Sequence, residues 1–328
     1  MHATALAPTP DTMYAMGFAR HGAAQAPGLY ALPIPEPGPG QLLVRLHAAG
    51  VGRWDLHERD GAFARRLGQP TRFPLVTGSE GAGVVAALGA DVAGFHEGDR
   101  VYGLVAHRNP KLGCHAEFAL FDQASAWPMP PTLSMDQAAV LPVDGAVALR
   151  GLRDALDAQA GDSLVVFGAS GGVGHLALQL ARHLRLRTLA VASGDDGVRL
   201  ALRLGAGEAI DGRRRGFERA VARFAPAGTL ALLTAGGEAA ARLVAAMPAG
   251  SRIAWPHGVD VPAPARGDLE AAAYGTGFDP ALMQALHASA TRDGLLPHVS
   301  RRYLLEQLPR AFDAVTGHHL GRVAVITQ

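Results

Sequence analysis

The chain has 328 residues, a hydrophobic fraction of 48% and a charged fraction of 18%, a composition typical of a globular protein with room for two domains. Its net charge of +1 gives no reason to expect nucleic acid as a partner, and no apolar stretch approaches the ~20 residues of a membrane span. A single cysteine, Cys114, excludes an internal disulfide, and the first residues lack a signal-peptide pattern, so we expect a cytoplasmic location.

The first part of the chain, from Tyr14 to about Trp127, is rich in short β-type runs that glycine and proline interrupt. The runs are LLVRLHAAGV, GAGVVAALG, DRVYGLV and CHAEFALF, and the loop PIPEPGPG precedes the first of them. Short strands separated by turn residues are typical of all-β domains. The sequence therefore predicts a barrel-like β-domain here.

From about Pro128 to Ala265 the periodicity changes. The apolar runs SLVVFGA, RTLAVAS, LALLTA and SRIAWP alternate with the helical stretches HLALQLARHL and VRLALRLGA. This alternation predicts an α/β fold, in which a parallel sheet is connected by crossover helices. The rest of the chain predicts two helices, PALMQALHASATRDG and LLEQLPRAFDAVTG, and a closing strand, GRVAVIT.

A glycine-rich turn joins the first strand of the α/β region to its first helix. It comprises Gly168, Ala169, Ser170, Gly171, Gly172, Val173 and Gly174. Glycines permit the tight bend and let a phosphate approach the backbone, where the free N–H groups and the positive end of the helix bind the anion. Because another strand follows about 20 residues later, the sequence predicts a dinucleotide-binding site.

Several motifs together resemble the medium-chain dehydrogenase/reductase superfamily and, within it, the zinc-independent quinone oxidoreductase branch. They are AGDSLVVFGASGGVGHLALQLAR, FPLVTGSEGAGVVAALGADVAGFHEGDRVYG, GCHAEFALF, LSMDQAAVLPVDGAVALRGL and GHHLGRVAVI. The resemblance extends from about Tyr14 to Thr327. It implies a GroES-like β-domain, residues 1–127 and 266–328, and a Rossmann domain with a doubly wound parallel sheet, residues 128–265, inserted between its two parts.

The resemblance also allows a comparison with the ligands of zinc-dependent relatives. The matching positions are Gly52 in GVGRWD, Ser79 in GSE and Val143 in LPVDG, and none of these side chains can ligate zinc as that site requires. The four-cysteine structural lobe of such relatives is also missing. We therefore expect no zinc, and reduction of a quinone or an activated C=C bond rather than metal-assisted alcohol chemistry.

The end of the second strand of the Rossmann domain bears on the choice of nicotinamide cofactor. NAD-specific domains place Asp or Glu there, to accept a hydrogen bond from the ribose 2′-OH. This chain has Ala192 and Ser193 instead, which leaves space for a 2′-phosphate, so NADPH is expected. NADH is not excluded, because Asp195 and Asp196 would repel a phosphate. The candidates to bind the phosphate are Arg199, Arg213 and Arg214, whose alternative role is to solvate a loop.

Two polar residues, His57 and Asp144, lie at positions where the family lines its site. His57, in WDLHERDG, matches a tyrosine of quinone reductases and a proton-relaying histidine of zinc enzymes, so it is a candidate proton donor. The alternative is a partly exposed histidine without a role. Asp144 could pair with His57, bind substrate or cap its helix. Asp55 also matches the family, and its alternative role is structural.

The sequence therefore favours a zinc-independent, NADPH-dependent reductase of quinones or α,β-unsaturated carbonyls, and the resemblance implies a homodimer. Two other interpretations stay open: an enoyl reductase of a biosynthetic pathway, and a catalytically silent nucleotide-binding protein. Gly52 and Val147 keep the last one open, because many quinone reductases carry asparagine and threonine at these positions.

Overall fold

The computed structural model describes residues 11–68, 70–105, 111–262, 266–275 and 277–328. The N-terminal residues 1–10, in which no signal peptide is expected, lie outside these ranges. The chain forms two compact units, of which the first comprises Met1–Val143 with Val299–Gln328 and the second comprises Asp144–His298. No helix in the described ranges is both long and apolar enough to cross a bilayer.

The strands are β1 (Thr12–Phe18), β2 (Gly28–Pro33), β3 (Gln41–Val51), β4 (Leu75–Val76), β5 (Glu80–Leu88), β6 (Arg100–Leu104), β7 (Phe118–Asp122), β8 (Ala126–Pro128), β9 (Ser163–Phe167), β10 (Arg187–Ala192), β11 (Glu208–Asp211), β12 (Leu230–Leu233), β13 (Arg252–Pro256), β14 (Glu270–Tyr274), β15 (Val299–Leu304) and β16 (Arg322–Ile326).

The helices are α1 (Arg53–Arg59), α2 (Ala62–Leu67), α3 (Met135–Ala139), α4 (Pro142–Arg150), α5 (Gly172–His183), α6 (Gly194–Arg203), α7 (Phe217–Phe224), α8 (Glu238–Ala246), α9 (Pro280–Arg292) and α10 (Leu308–Thr316).

The first unit is built on two β-sheets. The larger has seven strands in the order β15-β16-β3-β5-β6-β8, with β7 also paired to β3, and the smaller has the order β2-β1-β4. Apolar side chains of β3, β5 and β7, among them Leu42, Val85 and Phe121, form one core. A second core lies where α10 packs on β16 through Leu308 and Val323. Alternating apolar residues thus form the β-domain that the sequence predicts.

The second unit is a six-stranded parallel sheet in the order β11-β10-β9-β12-β13-β14. Its central strands β9 and β12 are buried almost throughout, which explains their continuous apolar sequences SLVVF and LALL. Helices α7 and α8 contribute Phe217, Val221 and Leu243 to the core on one side of the sheet. The predicted α/β fold with a parallel sheet is confirmed.

The division between the units differs from the expected one at both ends of the inserted segment. Residues 128–143 belong to the first unit, in which β8 pairs with β6 and the Val143 N–H donates to Glu80 Oε2 at 2.7 Å. Residues 266–298 belong to the second unit, because β14 extends the parallel sheet beyond β13. Ala265, the expected boundary, lies outside the described residues.

The region predicted as purely β also contains the helices α1 and α2. They have seven and six residues, so neither is long enough to produce a recognisable helical period in the sequence. Helix α1 carries the predicted site residues Asp55 and His57.

Candidate functional site

The glycine turn follows β9 and leads directly into α5. Gly168 has a φ of +77°, and a Cβ atom there would lie 2.5 Å from Thr234 Oγ1. A Cβ atom on Gly174 would collide with the carbonyl oxygen of Gly168. Both positions therefore require glycine, the first for its left-handed backbone and the second because α5 begins so close to the turn.

The N-terminus of α5 presents backbone donors at this turn. Gly171 is the N-cap residue and has no side chain to cap the helix. Helix geometry then leaves the N–H groups of Gly172, Val173 and Gly174 without acceptors inside the helix. Gly171, Gly172 and Val173 are partly exposed. Free donors at the positive end of a 12-residue helix fit a phosphate or pyrophosphate group.

Ala169 and Ser170 support the turn from the interior of the unit. Ala169 is fully buried, and its N–H donates to the carbonyl oxygen of Val191 at 3.2 Å. Ser170 Oγ accepts a hydrogen bond from the N–H of Ser193 at 3.3 Å. Because β9 and β10 are adjacent, the structure brings the predicted segment Gly168–Gly174 together with Ser193.

Two side chains of α5 connect the helix to the last segment of the second unit. His175 Nε2 accepts a hydrogen bond from the N–H of His298 at 3.0 Å, so Nδ1 carries the proton and donates to the Gly171 carbonyl oxygen at 2.9 Å. Gln179 donates to the Leu296 carbonyl oxygen at 3.0 Å and accepts from the Leu296 N–H at 2.9 Å. These contacts hold the helix that begins at the glycine turn.

The end of β10 carries no acidic residue, but the neighbouring strand supplies one. Asp211 ends β11 and pairs with Ala192 in the parallel ladder. Its Oδ1 accepts hydrogen bonds from the N–H groups of Gly194 and Arg213, at 2.9 and 3.0 Å. Burial alone would raise the pKa of Asp211, but these bonds and the nearby guanidinium groups lower it. Sequence reasoning missed Asp211 because only the strand register places it beside Ala192.

The three candidate arginines occupy different environments. Arg214 pairs with Asp195 at 3.0 Å. Arg213 is exposed, and its Nη1 is 3.3 Å from the position that a Cβ would take on Gly194, the first residue of α6. Arg199 is exposed on α6, one turn beyond Asp195. Arg213 is therefore the arginine at the N-terminus of α6.

In the first unit, α1 carries two predicted site residues on different faces. Asp55 is fully buried, and its carboxylate accepts hydrogen bonds from the N–H groups of Gly52 at 2.9 Å and Gly78 at 3.1 Å. Burial raises the pKa of Asp55 to about 6, although Lys111 and the two backbone donors act in the opposite direction. His57 is exposed, and its ring has no hydrogen-bond partner among the described residues.

A buried ion pair lies close to Asp55. Lys111 Nζ is 2.6 Å from Glu58 Oε2 and 3.4 Å from Ser79 Oγ, and the Lys111 and Glu58 side chains are only 4% and 6% exposed. Burial raises the pKa of Glu58, and the Lys111 ammonium partly offsets that effect. Sequence reasoning missed the pair because 53 residues separate its members.

Backbone hydrogen bonds fix the segment that follows Lys111 beside Ser79. The N–H groups of Gly113, Cys114 and His115 donate to the carbonyl oxygens of Val76, Gly78 and Thr77, at 3.1, 2.9 and 3.0 Å respectively. These three hydrogen bonds fix the position of the backbone from which the Lys111 side chain extends.

His115 is a structural residue in the same region. Its Nε2 donates to the Gly50 carbonyl oxygen at 3.2 Å, and Nδ1 accepts from Thr77 Oγ1 at 2.8 Å. Burial lowers the pKa of His115 to about 4. The imidazole is therefore neutral at physiological pH and packs the site without donating protons.

A second buried ion pair joins Glu80 to Arg322. The guanidinium of Arg322 also lies over the ring of Trp54, 4.7 Å from its centroid. Glu80 also accepts a hydrogen bond from the backbone N–H of Val143, the residue at the third position that corresponds to a zinc ligand.

Asp144 is buried in the second unit close to Tyr274. Burial and, in second place, the charge of Asp144 raise the pKa of Tyr274. The Tyr274 hydroxyl donates to the carbonyl oxygen of Val147 at 3.0 Å. Pairing of Asp144 with His57 stays a prediction.

The residues at the zinc-ligand positions do not fit a zinc ion. Gly52 has no side chain, and the Ser79 hydroxyl contacts the Lys111 ammonium, a cation that would repel a metal. Across the described ranges, no group of three or more His, Cys, Asp or Glu side chains is arranged to hold a metal ion.

Comparisons with known proteins agree with this architecture. Residues 38–131 match the family described as the alcohol dehydrogenase GroES-like domain. Quinone oxidoreductase of Mus musculus is 36% identical over 184 residues, which are 56% of this chain and 53% of the mouse protein. The chain thus spans about half the length of such curated relatives. The spectinabilin polyketide synthase system protein NorB of Streptomyces orinoci is 39% identical over 213 residues, which are 63% of this chain and 9% of that protein.

A solved structure extends the similarity to nearly the whole chain. An alcohol dehydrogenase superfamily protein from Novosphingobium aromaticivorans has a TM-score of 0.83 at 26% identity, and the match covers 97% of this chain and 100% of the other. The GroES-like match and the parallel sheet with its glycine turn confirm the expected fold. These similarities support the expected membership of the medium-chain dehydrogenase/reductase superfamily, in its quinone oxidoreductase branch.

Proposed function

We propose that the protein is an oxidoreductase that uses NADPH to reduce a quinone or an α,β-unsaturated carbonyl, without zinc. The observation that carries the proposal is the glycine turn Gly168–Gly174 at the start of α5. The similarity to the quinone oxidoreductase of Mus musculus supports the choice of substrate class. A cytoplasmic location is supported by the single, buried cysteine.

A nicotinamide dinucleotide supplies the hydride when it is bound. The N–H groups of Gly172, Val173 and Gly174 would bind its pyrophosphate, because they are free donors at the positive end of α5. Gly168 gives the backbone the left-handed turn that opens this cradle. Ser193 follows β10 beside the turn and would contact the adenosine ribose.

The N-terminus of α6 favours NADPH over NADH. Ala192 offers no carboxylate to the ribose 2′-OH, and the Arg213 guanidinium can form a charge-assisted bond with a 2′-phosphate. Asp211 would compete for the ribose, but its Oδ1 is engaged by two backbone N–H groups. The candidates for the phosphate contact, in decreasing order of preference, are Arg213, Arg214 and Arg199.

Reduction of an enone places negative charge on the carbonyl oxygen and requires a proton at the α-carbon. We assign the proton to His57, because its exposed ring can be protonated again from solvent. Asp55 is assigned a structural role, since its carboxylate is occupied by Gly52 and Gly78. Asp144 is kept as a candidate to bind substrate or orient His57.

An enoyl reductase is the second candidate function. The 39% identity to a polyketide synthase system protein over 213 residues favours it. Enone reduction and enoyl reduction both act on a C=C bond conjugated to a carbonyl. They differ in that the carbonyl of an enoyl substrate belongs to a thioester.

A substrate panel distinguishes these proposals. Oxidation of NADPH by the zinc-depleted protein is followed with benzoquinone, cyclohexenone and a crotonyl thioester. We expect the quinone or the enone to react fastest, whereas a faster thioester would favour the enoyl reductase. NADPH binding without oxidation by any of the three would indicate a silent nucleotide-binding protein. Stoichiometric zinc by elemental analysis, with activity lost in chelator, would contradict the zinc-free mechanism.

A further inference from the structure

His175 lies in the first turn of α5, directly after the glycine turn, and its side chain is fully buried. Both ring nitrogens form hydrogen bonds inside the second unit. Nδ1 donates to the carbonyl oxygen of Gly171 at 2.9 Å, and Nε2 accepts from the backbone N–H of His298 at 3.0 Å. Because a backbone N–H can only donate, the His298 contact fixes the ring in the tautomer that carries its proton on Nδ1.

The carbonyl oxygen of Gly171 accepts two hydrogen bonds from the same residue. The backbone N–H of His175 donates to it at 3.0 Å, which is the ordinary bond of an α-helix. The bond from Nδ1 is additional and requires this side chain. Two donors therefore define the direction of the carbonyl group at the N-cap of α5, where a regular helix supplies one.

The direction of this carbonyl group determines the direction of a donor at the glycine turn. The C=O of Gly171 and the N–H of Gly172 belong to one planar trans peptide group, so they point in opposite directions. With the C=O held toward the interior of α5, the Gly172 N–H points out of its N-terminus. A carbonyl that accepts hydrogen bonds also polarises the N–H of its own peptide group.

This peptide group has more need of an external bond than others in the helix. It lies between two glycines, and neither residue has a side chain that restricts its rotation. The Nδ1 bond supplies the missing restriction without filling the space that a ligand needs, because the imidazole lies below the turn in the interior of the unit.

We propose that His175 is a positioning residue of the cofactor site, whose Nδ1–H orients the Gly171–Gly172 peptide group so that the Gly172 N–H binds a phosphate oxygen. This role rests on the proposed function, in which a dinucleotide binds at the glycine turn. The imidazole does not touch the cofactor and acts through the peptide group alone. His298 contributes by fixing the tautomer.

Gln179 provides a matched control on the same helix. It is buried one turn after His175, and among the described residues its amide bonds to the Leu296 backbone and to the carbonyl oxygen of His175. Both side chains thus connect α5 to the last segment of the second unit, but only His175 also bonds to Gly171. A variant of Gln179 loosens the same helix and leaves the Gly171 carbonyl group held.

Calorimetry with ADP tests the role without any turnover, because ADP carries the adenosine and the two phosphates that the turn would bind. His175→Ala should weaken ADP binding by about 3- to 10-fold, the equivalent of one hydrogen bond. Its affinity for adenosine, which has no phosphate, should not change. Gln179→Ala should bind ADP as wild type does. Equal ADP affinity in wild type and folded His175→Ala would overturn the proposal.

His175→Asn separates positioning from folding. The Nδ2 of asparagine and the Nδ1 of histidine are both bonded to Cγ, so asparagine restores a donor for the Gly171 carbonyl oxygen but no acceptor for His298. Tm should fall in both the Ala and the Asn variants, because each leaves the His298 N–H without its acceptor. ADP affinity should stay near the wild-type value in the Asn variant only. An equal loss of affinity in both variants would assign His175 to folding alone.

NMR of the wild-type protein labelled with nitrogen-15 gives a spectroscopic test. The His175 ring, assigned through its backbone resonances, should show the Nδ1–H tautomer, and saturating ADP should shift its Nδ1 signal because the Gly172 N–H and the Gly171 carbonyl share one peptide group. A proton on Nε2, or an Nδ1 signal that ADP leaves unchanged, would overturn the proposal.

These outcomes also separate the inference from the proposed function. Binding of ADP that depends on His175, in a protein that oxidises NADPH with no substrate, would contradict the proposed function alone. Normal NADPH oxidation with an ADP affinity that does not depend on His175 would overturn the positioning role alone. A wild-type protein that binds no ADP would contradict both.

Discussion

The carboxylate of Asp55 joins two segments of the first unit through the N–H groups of Gly52 and Gly78. These bonds stabilise its ionised form, as do the charges of Lys111 and Arg322, but burial has the larger effect and raises the pKa. Asp55 therefore connects the start of α1 to the segment before β5, and its carboxylate takes up a proton at a higher pH than a free aspartate does.

This residue predicts a pH-dependent stability. The pKa of about 6 in the folded protein exceeds the 3.8 of free aspartate, so between these values the folded state binds a proton that the unfolded state releases. The contribution of Asp55 to the free energy of unfolding therefore falls as pH rises from about 4 to about 6. In urea denaturation, wild type should lose stability relative to Asp55→Asn over this range. A difference that does not vary with pH would contradict the raised pKa.

Arg213 is the residue to which we assign the proposed preference for NADPH. Arg213→Ala should weaken NADPH binding by about 10- to 150-fold, equivalent to about 1.5–3 kcal/mol for a charge-assisted bond, and leave NADH binding unchanged. Arg199→Ala is the matched control and should alter neither affinity. Calorimetry with both cofactors measures these effects. Loss of NADPH affinity only in the Arg199 variant would reverse the assignment.

His57 is tested by its effect on turnover. If it supplies the proton, His57→Ala should lower kcat for cyclohexenone by about 10²–10⁴-fold, with NADPH affinity unchanged. Benzoquinone reduction should suffer less, because a quinol anion is stable enough to take its proton from water. Equal enone turnover in wild type and variant would leave water or Asp144 as the proton source.

Among the secondary-structure elements, α5 depends on side chains that connect it to the end of the second unit. Gln179→Ala removes the side-chain amide that bonds to both the N–H and the carbonyl oxygen of Leu296. The free energy of unfolding should therefore fall by about 1–3 kcal/mol. His183→Ala, an exposed position on the same helix, serves as control and should have little effect. Urea denaturation measures both variants, and equal losses would contradict the role of Gln179.

The same element explains how far the sequence could predict the site. The unit of β9, glycine turn and α5 is predictable because its glycines, buried strand and helix are contiguous in the chain. Asp211 beside Ala192 depends on strand register, and Lys111 beside Glu58 depends on contacts across 53 residues. Neither leaves a local pattern. Helix α1 escaped prediction because seven residues carry no clear period.

At the scale of the whole molecule, β14 suggests how two chains could associate. It ends the parallel sheet, and within the described residues its strand partner is β13 alone. The Glu270 N–H donates toward β13, to Ser251, so strand alternation turns the Ala273 N–H toward the open edge. An open edge can pair with a second copy. We therefore propose that the expected homodimer forms through β14.

Ala273→Pro tests this interface. Proline removes the outward N–H and leaves the bonds to β13 intact, as proline does on edge strands. Sedimentation of wild type should give twice the chain mass of 34.0 kDa, and the variant should give the single mass. Ala273→Ser is the control and should stay dimeric. A monomeric wild type, or a dimeric Ala273→Pro, would contradict the proposed interface.

Hydride transfer from NADPH to a conjugated carbonyl is the central claim, and isotope transfer tests it most directly. The zinc-depleted protein is mixed with cyclohexenone and NADPH that carries deuterium in the transferable position at C4 of the nicotinamide. Mass spectrometry and NMR should find one deuterium at the β-carbon of the cyclohexanone that is formed. Binding of the deuterated NADPH without transfer of deuterium to cyclohexenone would contradict the account.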